Sequence, residues 1–183
     1  MDTRSATIAA TCLALNLSLA KIAALMSLPV YMDTVGTILA AALLRPSYAL
    51  SIAALTSLLG GLLIHPAFPF YIGTQILVSL IGVLAVRMRW FVTWWKALLT
   101  GIMIAMATSI ASAPVTVIMF GGVTLSGATA INAVLLAAGH NLWQSVVAGS
   151  LVVESIDKVT TALLAWLLLS RLPKRVLPAN SPS

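Results

Sequence analysis

Three ionisable residues stand close together near the end of a sequence that is otherwise poor in charge. Glu154, Asp157 and Lys158 occupy positions i, i+3 and i+4, so on a helix they share one face and can pair. A Glu–Lys pair at this spacing is first a structural device, and it becomes a binding feature where its face points into a pocket. Asp33 has two interpretations, a helix cap shared with Thr34 or a partner for a cation.

Lys21 interrupts the first apolar stretch of the chain. An ionisable group inside a membrane span costs a few kcal/mol, which makes it a candidate for function. Two interpretations stay open. The ammonium snorkels to the outer interface, or it is the counter-charge of an anionic ligand group, of Asp33 or of Glu154.

Hydrogen-bonding and aromatic residues concentrate in segments that we predict to face outside. A ligand site is typically an apolar concavity with a few placed polar groups, and these residues have that chemistry. The pair His140-Asn141 is the most suggestive, because it breaks an apolar segment where exposed backbone needs polar company. The predicted ligand-binding residues are Tyr31, Asp33, Tyr71, Gln75, Asn132, His140, Asn141, Trp143 and Glu154.

Composition excludes several other classes of protein. The 183 residues are 61% hydrophobic and 8% charged, against roughly 25% charged in soluble domains, so a water-soluble globule is excluded. The 10 Lys and Arg residues punctuate apolar runs instead of forming a patch, which favours a lipid bilayer as partner over nucleic acid. Four carboxylates and two histidines are too few for most hydrolytic or metal chemistry.

Motifs for catalysis are lacking as well. The sequence has no Ser-His-Asp arrangement, HExxH or acidic metal cluster, and Cys12 is the only cysteine. The glycine-rich run 121–127 lacks the lysine that a phosphate loop requires. We therefore expect no enzymatic activity, no catalytic residue, no metal and no cofactor, and any uphill transport needs an ATPase partner.

The apolar runs predict an all-α integral membrane protein with six transmembrane helices. A spanning helix needs roughly 20 apolar residues, fewer where neighbouring helices help. The chain forms one membrane domain, 1–183, with a tail at 178–183 that we expect to be disordered. The predicted helices are 5–28, 34–44, 48–64, 71–86, 96–120 and 158–172.

The stretch 121–157 decides between six and seven crossings. With six crossings the following cations share one side: Arg4, Arg45, Arg87, Arg89, Lys96, Arg171, Lys174 and Arg175. Seven crossings would move the last three outside. We therefore predict that both termini are cytoplasmic and that 121–157 is a broken, partly re-entrant segment in the outer half. A cleaved signal peptide is disfavoured, because Asn16 and Lys21 interrupt the first apolar run. Asp2 also places a negative charge in the N-terminal region, which is positively charged in signal peptides.

Ala6, Ala10 and Ala14 repeat at four-residue spacing near the N-terminus. This small-xxx-small ridge is typical of a helix face that another helix approaches closely. Chance produces the same spacing in a chain so rich in alanine.

The chain resembles the substrate-binding S components of energy-coupling factor (ECF) transporters over nearly its whole length. The resemblance rests on the segment LPVYMDTVGT at 28–37, on GGVT at 121–124, and on ESIDK at 154–158 with Leu172-Pro173 after the last helix. It implies a bacterial inner-membrane protein that crosses the membrane six times and captures a vitamin or similar micronutrient from outside.

The resemblance also implies partners. An S component docks on a transmembrane coupling subunit driven by two cytoplasmic ATPases, and topples in the membrane to release its ligand inside. The family's docking surface includes small residues on the first helix, which match the alanine ridge here. Its pocket is built by the outer halves of the last three helices and the loop after the first. Substrate identity stays open, with a modest preference for an aromatic or heterocyclic solute from Tyr71, His140 and Trp143.

Two alternatives remain at this stage. The same helices suit a membrane sensor or scaffold that binds a ligand without transporting it, although the cytoplasmic ends are too short for an output domain. An intramembrane enzyme would need Glu154, Asp157 and His140 to converge on one reacting atom.

Overall fold

All regular structure in the described part of the chain is helical. A computed structural model describes residues 3–123 and 128–173, and confirms the predicted all-α class. Two single turns of 3-10 helix, Phe68–Tyr71 and Trp90–Val92, lead into the fourth and fifth helices. The helices are α1 Thr3–Leu25, α2 Val35–Leu43, α3 Pro46–Leu63, α4 Ile72–Arg87, α5 Trp94–Phe120, α6 Ala128–Ala137 and α7 Leu142–Arg171.

The distribution of side chains is that of a membrane protein. Large apolar residues lie on the outside, with Leu25 74%, Leu62 83% and Ile118 72% exposed, whereas many hydroxyl side chains are fully buried. A shorter apolar helix, α6, accompanies the long ones. Four segments are long and apolar enough to cross a membrane: Thr3–Leu25, Pro46–Leu63, Phe68–Arg87 and Trp94–Phe120.

The last helix differs from the prediction. Five predicted helices begin and end within three residues of α1 to α5, but α7 begins at Leu142, so the predicted start at 158 is wrong. At 30 residues α7 is about 45 Å long. The ionisable group 154–158 therefore lies inside a continuous helix, with Lys158 near its middle.

The segment 121–157 is accordingly not one re-entrant unit. Its chain break at Gly139 is confirmed, but only α6 is a short separate helix, and the residues after the break form the first half of α7. Asn141 and Gln144 explain the new start, because they cap α7 reciprocally: Oδ1 of Asn141 accepts from the Gln144 N–H at 2.9 Å. The predicted tail at 178–183 lies outside the described residues.

Asn16 joins the first three helices. Its fully buried side chain accepts from the Gly36 N–H at 2.7 Å through Oδ1. Its Nδ2 donates to the hydroxyls of Thr37, 2.9 Å, and Thr56, 3.0 Å. One amide thus ties α1 to both α2 and α3, in an interior where water cannot replace these bonds.

The same contact corrects the prediction that Asp33 or Thr34 caps α2. Thr34 occupies the cap position but makes no side-chain cap hydrogen bond. One N–H group of the first turn, that of Gly36, instead donates to Asn16 of α1. A side chain at Gly36 would overlap the Cys12 carbonyl, so glycine permits the close approach of α1 and α2.

The longest helix pair is formed by α5 and α7. A Cβ atom on Gly101 would lie 2.7 Å from the Cα of Val159, so glycine lets the two backbones meet there. Seven residues further along α5, Thr108 meets Glu154 on α7, so the two helices run antiparallel. This register brings the polar residues of α5 next to those of α7.

We predict that Asn16→Ala lowers the free energy of unfolding by about 3 kcal/mol, because it leaves three buried polar groups without their partner. The melting temperature of the detergent-purified protein should fall by about 10 °C. Ser18→Ala, at an exposed position on the same helix, is the matched control and should melt like the wild type. Equal melting of the two variants would contradict the structural role of Asn16.

Candidate functional site

A pocket opens between the loop that precedes α2 and the helices α3, α4, α5 and α7. Counted with its open mouth, the pocket has a volume of about 610 Å³. This size suits a small ligand. The lining residues are Tyr31, Asp33, Ser57, Phe68, Tyr71, Thr74, Gln75, Val78, Thr108, Ser112, Thr116, Ser150, Glu154 and Lys158.

Four-residue spacing places the polar lining of each long helix on one face. On α5 the series is Thr108, Ser112 and Thr116, and on α7 it is Ser150, Glu154 and Lys158. Because the two helices are antiparallel and closely packed, the two polar faces meet along their length. The pocket is therefore a product of the α5–α7 register.

Lys158 lies at the centre of the charged part of the pocket. Its Nζ donates to Asp157 Oδ2 and lies 3.6 Å from both Asp33 Oδ1 and Glu154 Oε2. It also stands 5.8 Å from the ring centroid of Tyr31. All four ionisable side chains are buried, and burying such charges is unfavourable unless they are paired. The predicted pairing of Glu154 with Lys158 is confirmed.

The cation beside Asp33 is therefore Lys158. The Lys158 ammonium offsets part of the cost of burying the Asp33 carboxylate. Lys21, the other candidate, is exposed, and its Nζ donates to the carbonyl of Leu63 at 3.0 Å. Its ammonium thus satisfies the C-terminal end of α3, and the counter-charge interpretation of Lys21 for Asp33 or Glu154 is wrong.

Asp157 attaches the loop before α2 to the middle of α7. Its Oδ1 accepts from two successive backbone groups, the N–H of Tyr31 at 3.0 Å and that of Met32 at 2.7 Å. Met32 adopts a left-handed conformation, with φ of 55°, and this turn directs both N–H groups to one oxygen. The attachment places the side chains of Tyr31 and Asp33 in the pocket wall.

Several buried polar atoms of the lining have no hydrogen-bond partner. Gln75 donates from Nε2 to Asp33 Oδ2, and Thr108 donates to Glu154 Oε2 at 2.9 Å. Oε1 of Gln75 and the hydroxyl of Ser57 have no such partner, and Oδ1 of Asp33 has only the Lys158 ammonium at 3.6 Å. Each unsatisfied buried group costs about 1–3 kcal/mol, so their presence in one pocket favours a bound molecule as the partner.

Aromatic rings form another part of the wall. Tyr71 stacks on Phe120, with ring centroids 6.0 Å apart, and its hydroxyl lies 3.0 Å from that of Thr116. Phe68 lines the same space and packs on Gly60 of α3, where a Cβ atom would overlap its ring. The pocket therefore combines flat apolar surfaces with hydrogen-bonding groups.

The structure brings five of the nine predicted binding residues together in this pocket. They are Tyr31, Asp33, Tyr71, Gln75 and Glu154. The spacing of hydroxyls on α5 could have identified Thr108, Ser112 and Thr116 from sequence, since three polar residues four apart in an apolar helix predict a polar face.

The other four predicted residues lie around the break between α6 and α7 and do not line the pocket. Asn132 is buried and donates to the carbonyl of Gly122 at 2.9 Å. Asn141 caps α7, and His140 and Trp143 are exposed. The break therefore serves helix packing and capping in this structure.

The alanine ridge of α1 lies at the protein surface. Ala6 is half-buried, whereas Ala10 and Ala14 are exposed. Ala10 also borders an open groove of about 870 Å³ between α1 and the first half of α3. Another helix could approach α1 closely here.

Within residues 3–123 and 128–173, no three His, Cys, Asp or Glu side chains are arranged to hold a metal ion. Asp33, Glu154 and Asp157 instead surround the Lys158 ammonium.

Comparison of the chain with family models, curated proteins and solved structures finds no match. The resemblance to ECF S components therefore stays a prediction from the residues themselves.

We predict that Lys158→Met lowers the free energy of unfolding by about 3–5 kcal/mol, because three buried carboxylates lose their shared cation. The melting temperature should fall by about 10–15 °C. Adding Asp157→Asn should recover part of the loss, since it removes one negative charge and keeps the oxygen that holds the loop.

Lys21→Met is the matched control for this measurement, since it removes an exposed lysine from another helix. It should shift the melting temperature by only about 2 °C. A Lys158→Met protein that melts like this control would show that the charge cluster does not stabilise the fold.

Proposed function

We propose that this chain is the substrate-capture subunit of an ECF-type ABC transporter in the inner membrane of a bacterium. It binds a vitamin or related micronutrient from outside and delivers it inward together with a transmembrane coupling subunit and two cytoplasmic ATPases. The observation that carries the proposal is the pocket itself. Unsatisfied polar atoms of Ser57 and Gln75 line a cavity between the helices of a membrane protein, beside the carboxylates of Asp33 and Glu154.

The topology we propose has six crossings, by α1, α2, α3, α4, α5 and α7, with both termini cytoplasmic. Positive residues support it. If successive helices cross the membrane in alternating directions, the helix ends that carry these residues all lie on the cytoplasmic side. They are Arg4 in α1, Arg45 before α3, Arg87 at the end of α4, Lys96 in α5 and Arg171 at the end of α7. The pocket then lies toward the outer side, between the end of α3, the beginning of α4, the second half of α5 and the first half of α7.

The short helix α2 fits this topology. Its nine residues are about 13.5 Å long, less than half of a hydrocarbon core. The loop before it would complete the crossing, since Asp33 and Thr34 are buried and the backbone of Tyr31 and Met32 is held by Asp157. A loop at this depth is tolerated only against protein, and the polar interior supplies that contact.

Delivery requires energy that this chain does not supply, since the glycine-rich run lacks a phosphate-loop lysine. In our proposal the alanine ridge of α1 docks on the coupling subunit, where Ala10 and Ala14 allow close helix contact. The loop held by Asp157 connects α1 and α2 to the pocket wall. Movement of α1 on docking would therefore reach the ligand through this loop.

We predict that the protein purified from its own host retains a small molecule, which denaturation releases for mass spectrometry. Gln75→Ala should reduce the retained amount at least tenfold, because it removes hydrogen-bonding atoms from the pocket. Ile156→Ala, on the exposed face of α7, is the control and should retain the wild-type amount.

Deletion of the gene should abolish uptake of the released compound, and the protein should co-purify with nucleotide-binding ATPases. An empty wild-type protein, together with unchanged uptake of vitamins after deletion, would contradict the proposed function. Ligand retention without any transport defect would favour the sensor.

A further inference from the structure

The pocket carries an excess of negative charge. Asp33 and Glu154 line the pocket, whereas Asp157 lies fully buried behind its wall and accepts two backbone N–H groups of the loop. These three carboxylates share one ammonium, so the cluster keeps an excess of negative charge when all are ionised. Among the described residues that line the pocket, Lys158 is the only Lys, Arg or His. Uncompensated charge inside a membrane protein is strongly unfavourable, and a bound cation would offset it.

The hydrogen-bonding groups of the pocket show the same asymmetry. Its amide and ammonium donors are engaged, since Lys158 faces three carboxylates and Gln75 Nε2 donates to Asp33. Oε1 of Gln75 is an acceptor without a hydrogen bond, and Oδ1 of Asp33 has only the Lys158 ammonium, 3.6 Å away; both residues are more than nine-tenths buried. The hydroxyl of Ser57, which can donate or accept, also has no partner. A ligand that fits these atoms brings N–H donors.

Aromatic rings of the pocket also favour a cationic ligand. Phe68 and Tyr71 line the pocket, and Tyr31 already faces a cation, with Lys158 Nζ 5.8 Å from its ring centroid. The negative face of an aromatic ring attracts a cation, most strongly where water is excluded. A flat cation gains from such rings, whereas a carboxylate is repelled by them.

We infer that the ligand of this pocket is a small, flat organic cation with N–H donors, such as an amidinium or a protonated amino-heterocycle. The inference rests on the proposed capture function and specifies its substrate class. Ligand N–H groups would donate to Gln75 Oε1 and Asp33 Oδ1, and the positive charge would lie beside Glu154. An anionic ligand would add to the charge excess, because Lys158 is already shared by three carboxylates.

Three probes of nearly equal shape test the inference: benzamidine, which is a cation at neutral pH, neutral benzamide, and anionic benzoate. Binding to the full-length protein in nanodiscs is measured by calorimetry after the native ligand has been removed. We expect benzamidine to bind at least tenfold more tightly than benzamide, which is the effect of about one charge-assisted hydrogen bond, and benzoate to bind most weakly.

Glu154→Gln keeps the shape of the side chain and removes one charge, so it should reduce the preference for benzamidine at least fivefold. Ile156→Ala, two residues away on the exposed face, should leave the preference unchanged. Equal or tighter binding of benzamide or benzoate overturns the inference and indicates that protons neutralise the carboxylates. Failure of benzamidine to bind at millimolar concentration overturns it as well.

The compound released from the native protein separates this inference from the proposed function. A released cation supports both. A neutral or anionic compound overturns the cationic substrate class and leaves capture supported, whereas an empty protein with unchanged uptake overturns capture itself.

Discussion

The ammonium of Lys158, buried near the middle of α7, is the constraint on which the rest of the structure depends. A lysine at this depth is stable only with partners of opposite charge. Two of its carboxylates lie on its own helix, and the third, Asp33, comes from a loop more than a hundred residues earlier. The loop must therefore descend between the helices, which leaves only nine residues for α2.

A loop at this depth brings backbone groups that water cannot reach, and the surrounding helices satisfy them. Asp157 accepts from two N–H groups of the loop, and Asn16 accepts from the first turn of α2. Gly36 allows α1 to approach α2 closely enough for the Asn16 bond, and Gly101 allows α5 to pack closely on α7. The charge cluster, the short helix and the buried amide are thus parts of one arrangement, and the pocket is the space that it leaves beside α5.

Hydropathy predicted α1 to α5 well, because long apolar runs that end at proline or at basic residues locate such helices directly. It failed for α7, where Glu154, Asp157 and Lys158 resemble a helix entrance although they lie inside the helix. The same residues are unusual for an apolar chain, and five of the nine residues predicted from their chemistry line the pocket. Ser57 and Phe68 reach the pocket only through helix packing, so no local pattern indicates them.

The most direct measurement of the central claim is an experimental density map of the protein purified from its host and held in lipid nanodiscs without added ligand. We expect density for a small molecule within hydrogen-bonding distance of Gln75 and Asp33, beside Glu154, with the loop still held by Asp157. A pocket closed by its own side chains, or ligand density around His140 and Trp143 at the α6–α7 break, would contradict it.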